Sequence, residues 1–135
     1  MAQFENNYIG DLRTEAVHLK SGKKIITDAP IDNNGKGEAF SPTDLVCAAL
    51  SACMMTIMGI KAKQEGIDIL GMHSQISKSM TASPRKISEI GIAFVHPNPE
   101  SLSESHRKLL KDAAHTCPVA LSIHPDIKQN VVFNF

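Results

Sequence analysis

The chain has 135 residues, of which 42% are apolar and 21% charged, and its 14 basic side chains cancel its 14 acidic ones. That length suits a single domain over residues 1–135, with enough apolar material to fold without disulfide staples or a metal. Balanced charge argues against a protein that grips nucleic acid through its phosphates, and the apolar content argues against disorder.

From the N-terminus, MAQFENNYIG has neither the basic nor the apolar region of a signal peptide, so a cytoplasmic protein with reduced thiols is expected. TEAVHL and IIT read as two short strands joined by a turn at Ser21-Gly22. The 13-residue polar loop from Asp28 to Phe40 is long enough to suspect a function, and its Gly35-Lys36-Gly37 reads as a flexible hinge. A long helix is then predicted over about Pro42 to Glu65, with Ser41 as N-cap, Pro42 at the first helical position, Asp44 in the first turn and Gly66 as the stop. Its uncharged part, Leu45 to Ile60, has 16 residues and falls short of the ~20 that span a bilayer, so no membrane partner is expected. With no charged face for four turns, this helix needs cover on every side, which predicts a second subunit.

Two more strands follow, in IDILGMHSQISKSM and KISEIGIAFVH, with a turn at Thr81 to Arg85. In the second, Ile90, Ile92 and Phe94 alternate with Glu89, Gly91 and Ala93, as in a half-buried strand. A capping box, Ser101 with Glu104, predicts the next helix, which turns Leu102, Leu109, Leu110, Ala113 and Ala114 inward. Cys117-Pro118 breaks it, PVALSI can form a short turn, and IKQNVVFNF is a closing strand. The order describes an α+β domain.

Three cysteines are too few for a disulfide scaffold. Cys47 and Cys53 stand six residues apart on one helix, about 240° round it, and cannot bridge while the helix holds. By residue type alone, Cys53 reads as packing, whereas Cys117 lies at a helix break where N–H groups of the new turn can meet a thiolate. His115, Cys117 and His124 follow no zinc-ligand spacing, so no metal is expected.

Thr27 to Ile60, with SPRKISEI and AAHTCPVALSI further on, resembles the OsmC/Ohr family of thiol-dependent peroxidases, above all in S-P-x-[DE]-L…A-C and in C-P-V. The resemblance implies an OsmC-like fold: antiparallel sheets wrapped around two long central helices in an intertwined homodimer. It implies Cys53 as peroxidatic cysteine, Cys117 as resolving cysteine and Arg13 as the cation that activates the thiol. The substrate would be a small organic hydroperoxide in a pocket of Leu50, Met54, Met55 and Met58. The reductant would be an external dithiol, of dihydrolipoyl type, with no cofactor. One departure stands out, because the peroxidases have Glu directly after the helix-opening proline and this chain has Thr43. Glu38 and Glu15 are the candidates to take its place. The alternative is a non-catalytic OsmC-like dimer that binds a small apolar ligand.

Overall fold

The computed structural model describes residues 1–135, which divide into two compact units, Met1–Val46 and Cys47–Phe135. The division falls inside the long helix.

In the first unit, β1 (Phe4–Gly10), β2 (Arg13–His18) and β3 (Lys23–Asp28) form an antiparallel sheet in that order. The β2–β3 turn is the predicted one, with Gly22 at φ 71° and the His18 carbonyl accepting from the Ser21 and Gly22 N–H groups. Strand β1 was not expected, because FENNYIG has no apolar alternation. It is a strand because it pairs with β2, and nearly all of it is exposed.

The loop after β3 is not the hinge its glycines suggested. It is closed by hydrogen bonds from Asp28 N–H to the Phe40 carbonyl, Gly35 N–H to Pro30 and Gly37 N–H to Ala29. A β-carbon at Gly35 would overlap the Ala29 carbonyl oxygen, and Gly37 has φ 62°, so these glycines permit a tight closure rather than motion.

Helix α1 (Pro42–Glu65) begins and ends where the sequence placed it. Ser41 Oγ accepts from the Asp44 N–H at 3.1 Å while the Asp44 carboxylate accepts from the Ser41 N–H at 2.9 Å, a reciprocal cap. At the far end Gly66 takes φ 68° and the Ile67 N–H returns to the Ala62 carbonyl. The full 24 residues are, by length and composition, enough to cross a membrane, which the uncharged stretch alone did not indicate. Only one stripe of α1 is buried in this chain: Cys47, Leu50, Ser51, Met54, Met58 and Ala62. Ile60, by contrast, is 52% exposed.

The second unit carries β4 (His73–Ala82), β5 (Arg85–Val95) and β6 (Lys128–Asn134), in the sheet order β4-β5-β6. β4 and β5 are antiparallel, but β6 runs parallel to β5, so the expectation of purely antiparallel sheets is corrected. The chain between β5 and β6 is a helical crossover through α2 (Glu104–Ala114) and α3 (Pro118–Ser122), which returns the strand in the same direction. A bulge in the β4–β5 pairing, where Ser79 faces Glu89 but Met80 faces Ile87, lets Ile87 join Ile90, Ile92 and Phe94 on the buried side. Phe94 is fully buried and stacks on Phe133 of β6 with centroids 5.6 Å apart.

Helix α2 starts two residues later than the Ser101 cap predicted. Ser103 is its N-cap, accepting from the His106 N–H, while the Ser101 hydroxyl donates to the Asn98 carbonyl and closes a preceding 3-10 turn, Pro99–Ser101. Between them Leu102 is extended and buried.

Candidate active site

The second unit brings Cys53 and Cys117 together, 2.8 Å apart. Cys53 sits in the middle of α1 and is half-buried, whereas Cys117 has no exposed surface. Both are unbridged. Their meeting follows from local sequence: α2 ends at Ala114, the Thr116 hydroxyl donates to the Ala113 carbonyl, and Pro118 opens α3 with Cys117 as its N-cap. The Ala120 N–H donates to Cys117 Sγ at 3.4 Å, the contact anticipated for a cysteine at a helix break. Burial nevertheless pushes the Cys117 thiol up, and its hydrogen bond to Cys53 adds to that, since it favours the protonated donor; the Ala120 and Val119 N–H groups oppose both. Cys117 is therefore held as a thiol against the sulfur of Cys53. Cys47, 2% exposed, is buried on the same helix.

The first unit holds a second constellation. Arg13 and Asp28 are direct partners across β2 and β3. Arg13 Nε donates to Asp28 Oδ1 at 2.7 Å and Nη2 to Oδ2 at 2.9 Å, a two-pronged pair in which the Asp28 side chain is 0% exposed. The Glu38 N–H adds a third bond to the same carboxylate at 3.1 Å. Hydrogen bonding from Arg13 holds the Asp28 carboxyl below its ordinary range despite burial, and Asp28 in turn keeps Arg13 firmly protonated. Of the carboxylates considered as substitutes for the absent glutamate, Glu38 reaches Arg13 only at 3.6 Å and is mostly exposed, and Glu15 faces Lys24 at 3.2 Å. The residue that holds Arg13 is Asp28, which the sequence reading passed over. Counting pairs outward from the Ser21-Gly22 turn would have found it, because His18 opposite Lys23 leads to Arg13 opposite Asp28.

Leu50, Met54 and Met58 are enclosed in this chain, and Met55 alone of the four expected pocket residues has exposed surface. The open cavity nearby is a groove of about 680 Å³ between α1 and α2. Ile57, Ile60, Leu109 and Ala113 supply its apolar lining, Lys61 and Lys108 its cations. Ile57 lies one turn beyond Cys53, and Thr116, which immediately precedes Cys117, also lines the groove. No group of three His, Cys, Asp or Glu side chains is arranged to hold a metal ion.

Residues 35–132 match the family described as OsmC-like protein. A crystal structure of a proposed osmotic stress induced and detoxification response protein from Psychrobacter arcticus 273-4 is 51% identical, with a TM-score of 0.94 over 99% of this chain and 96% of that one. An organic hydroperoxide resistance protein OsmC from Legionella pneumophila has a TM-score of 0.71 at 18% identity, covering 100% and 98% of the two chains. A hydroperoxide resistance protein assigned in Vibrio cholerae, with captopril in one of its active sites, has a TM-score of 0.70 at 14% identity over 99% and 92%. At those identities the last two share the fold alone. A search of curated proteins finds no match.

Proposed function

Because the chain belongs to the OsmC-like family, we propose that it is a thiol-dependent peroxidase that reduces organic hydroperoxides in defence against oxidative stress. The observation that carries this reading is the dithiol itself, one half-buried sulfur within 2.8 Å of a wholly buried one. Cys53, the accessible member, attacks the distal oxygen of ROOH as a thiolate. The O–O bond breaks, the alkoxide leaves and takes a proton to become ROH, and the sulfur becomes a sulfenic acid. Cys117 then attacks that sulfur, water leaves, and a disulfide remains. An external dithiol, of dihydrolipoyl type, returns both cysteines to thiols by exchange. No metal, flavin or haem takes part, and a reducing cytoplasm is the compartment the cycle requires.

The resemblance makes Arg13 the cation that activates the thiol, and in this chain Asp28 fixes its guanidinium with two hydrogen bonds. The exposed flank of α1, where Ile60 is 52% exposed, supports a homodimer, and light scattering at micromolar concentration should return twice the chain mass. The decisive experiment counts free thiols before and after one equivalent of an organic hydroperoxide. Loss of two thiols per chain is expected. An unchanged count would favour the second reading, a dimer that binds a small apolar ligand, for which the α1–α2 groove of about 680 Å³ is the supporting observation.

A further inference from the structure

The C-terminal segment alternates, with Ile127, Val131, Phe133 and Phe135 on one side, and Gln129 is the residue that breaks this apolar run. In the sheet Gln129 stands opposite the fully buried Ile90, and its side-chain amide donates to the Ala120 carbonyl of α3 at 3.0 Å. The Ala120 N–H in turn donates to Cys117 Sγ at 3.4 Å. We propose that Gln129 is a positioning residue for the dithiol, fixing the α3 turn so that Cys117 stays within reach of Cys53. This rests on the thiol-peroxidase reading and names a residue outside the reacting pair that serves its resolving step.

The need for such a support follows from α3 itself. It has five residues, too few to hold a helical turn alone. Its N-cap is the Cys117 sulfur, the atom that reacts, so the cap changes whenever a disulfide forms or breaks. Its last carbonyls have no partners inside the helix, and Gln129 takes that of Ala120. The Ser122 hydroxyl donates to the Pro118 carbonyl, but that bond stays within the turn. Gln129 reaches across from β6, whose register against β5 is fixed. The same strand grips the other side of the break, because His115 stands edge-on to Phe133 with centroids 5.7 Å apart, and Phe133 stacks on the buried Phe94. Cys117 thus lies between two attachments to β6, a ring contact before it and a hydrogen bond after it.

Resolution is a contest between two fates of the Cys53 sulfenic acid. Either Cys117 attacks it, water leaves and the disulfide forms, or a second ROOH gives up an oxygen to it, leaving ROH and a sulfinic acid. A thiol already held 2.8 Å away has little freedom left to lose on bonding, which raises its effective concentration. Without the Gln129 bond, the reduced α3 turn gains freedom that the disulfide must then remove. The disulfide should become less favourable and form more slowly, although both cysteines are intact.

The test compares wild type with Gln129→Met, which keeps the length of the side chain and removes its donor. Both proteins are equilibrated in mixtures of reduced and oxidised dithiothreitol and quenched in acid, and their free thiols are counted by alkylation and intact mass. The equilibrium constant for the disulfide is expected to fall about fivefold in the variant, the worth of one ordinary hydrogen bond. Gln129→Lys, which returns an N–H donor to the same reach, should bring it back to within about twofold of wild type. An unchanged constant in Gln129→Met, with or without a lower melting temperature, would mean a purely structural bond and overturn the proposal. So would a Gln129→Lys value as low as that of Gln129→Met. Under excess cumene hydroperoxide Gln129→Met should also end with a larger share of sulfinic acid on Cys53 than wild type, and an equal share would count against the proposal. If the hydroperoxide oxidises neither protein, the peroxidase reading falls, and the dithiothreitol equilibrium still decides this one.

Discussion

Arg13–Asp28 and Cys53–Cys117 are two close side-chain pairs of this chain, and they are assembled in opposite ways. Arg13 and Asp28 face each other across a hairpin, 15 residues apart in sequence, and are held by charge. Cys53 and Cys117 come from the middle of one helix and the break between two others, Cys53 half-buried and Cys117 enclosed. The contrast shows what each kind of group requires when it is buried. A buried carboxylate stays ionised only if donors converge on it, and Asp28 receives three. A buried thiol needs no such company, but it stays protonated, as Cys117 does. The ion pair is thus complete within its hairpin, while the dithiol depends on an outside oxidant to acquire a bond.

Substitutions can break this contrast or sharpen it. The largest effect is expected from Cys53→Ser, which should lower hydroperoxide consumption by at least about a thousandfold, to the uncatalysed level, because a serine hydroxyl is not ionised at neutral pH. A peroxide-consumption assay at equal protein concentration checks it, and residual turnover near wild type would move the peroxidatic role elsewhere. Cys117→Ser should instead complete one oxidation and stop. Intact-mass measurement under excess peroxide should show a gain of two oxygens, where the wild type loses two hydrogens.

Two further variants weigh packing against charge. Phe94→Ala removes a fully buried ring from the β5–β6 stack and should cost about 3–5 kcal/mol in denaturant unfolding. Asp28→Asn should show itself through pH. The Asp28 carboxyl is held low in the folded chain, so its contribution is complete above the unfolded value of about 3.9 and is lost as pH falls through the folded one. Melting curves from pH 7 to pH 3 should therefore find the variant less stable than wild type at neutral pH, with the difference shrinking below about pH 4. A difference that persisted unchanged to pH 3 would mean that Arg13 does not depend on the Asp28 charge. The smallest effect is expected from Cys47→Ala, which keeps peroxide turnover unchanged, because Cys47 is buried away from the reacting pair on the helix.

Some of this molecule was readable from residues alone because the interactions concerned are local. The Ser41–Asp44 cap and the Gly66 stop of α1 involve neighbours within one helical turn, and the alternation of Ile90, Ile92 and Phe94 records which side of a strand is dry. The Arg13–Asp28 pair is nearly as local, because the hairpin register set at the Ser21-Gly22 turn puts the two residues opposite each other. The Ser101 cap was misplaced because two serines two residues apart offer the same hydroxyl. Only the burial of Leu102 between them decides that the helix begins after Ser103.

Other features have no local cause. Strand β1 has an unpatterned sequence and takes its conformation from pairing with β2. The direction of β6 is set by the helical crossover before it, not by the alternation of its own side chains, which is the same in either direction. Most of all, sequence determined that the chain has a thiol in the middle of one apolar helix and another at a helix break, together with the motifs that relate them to a family. Only the tertiary structure decided that α1 and the α2–α3 break would set those two sulfurs 2.8 Å apart, with one reachable and the other enclosed. Local propensities fix helices and turns, but a distance between residues remote in sequence is fixed by the packing of the elements that carry them.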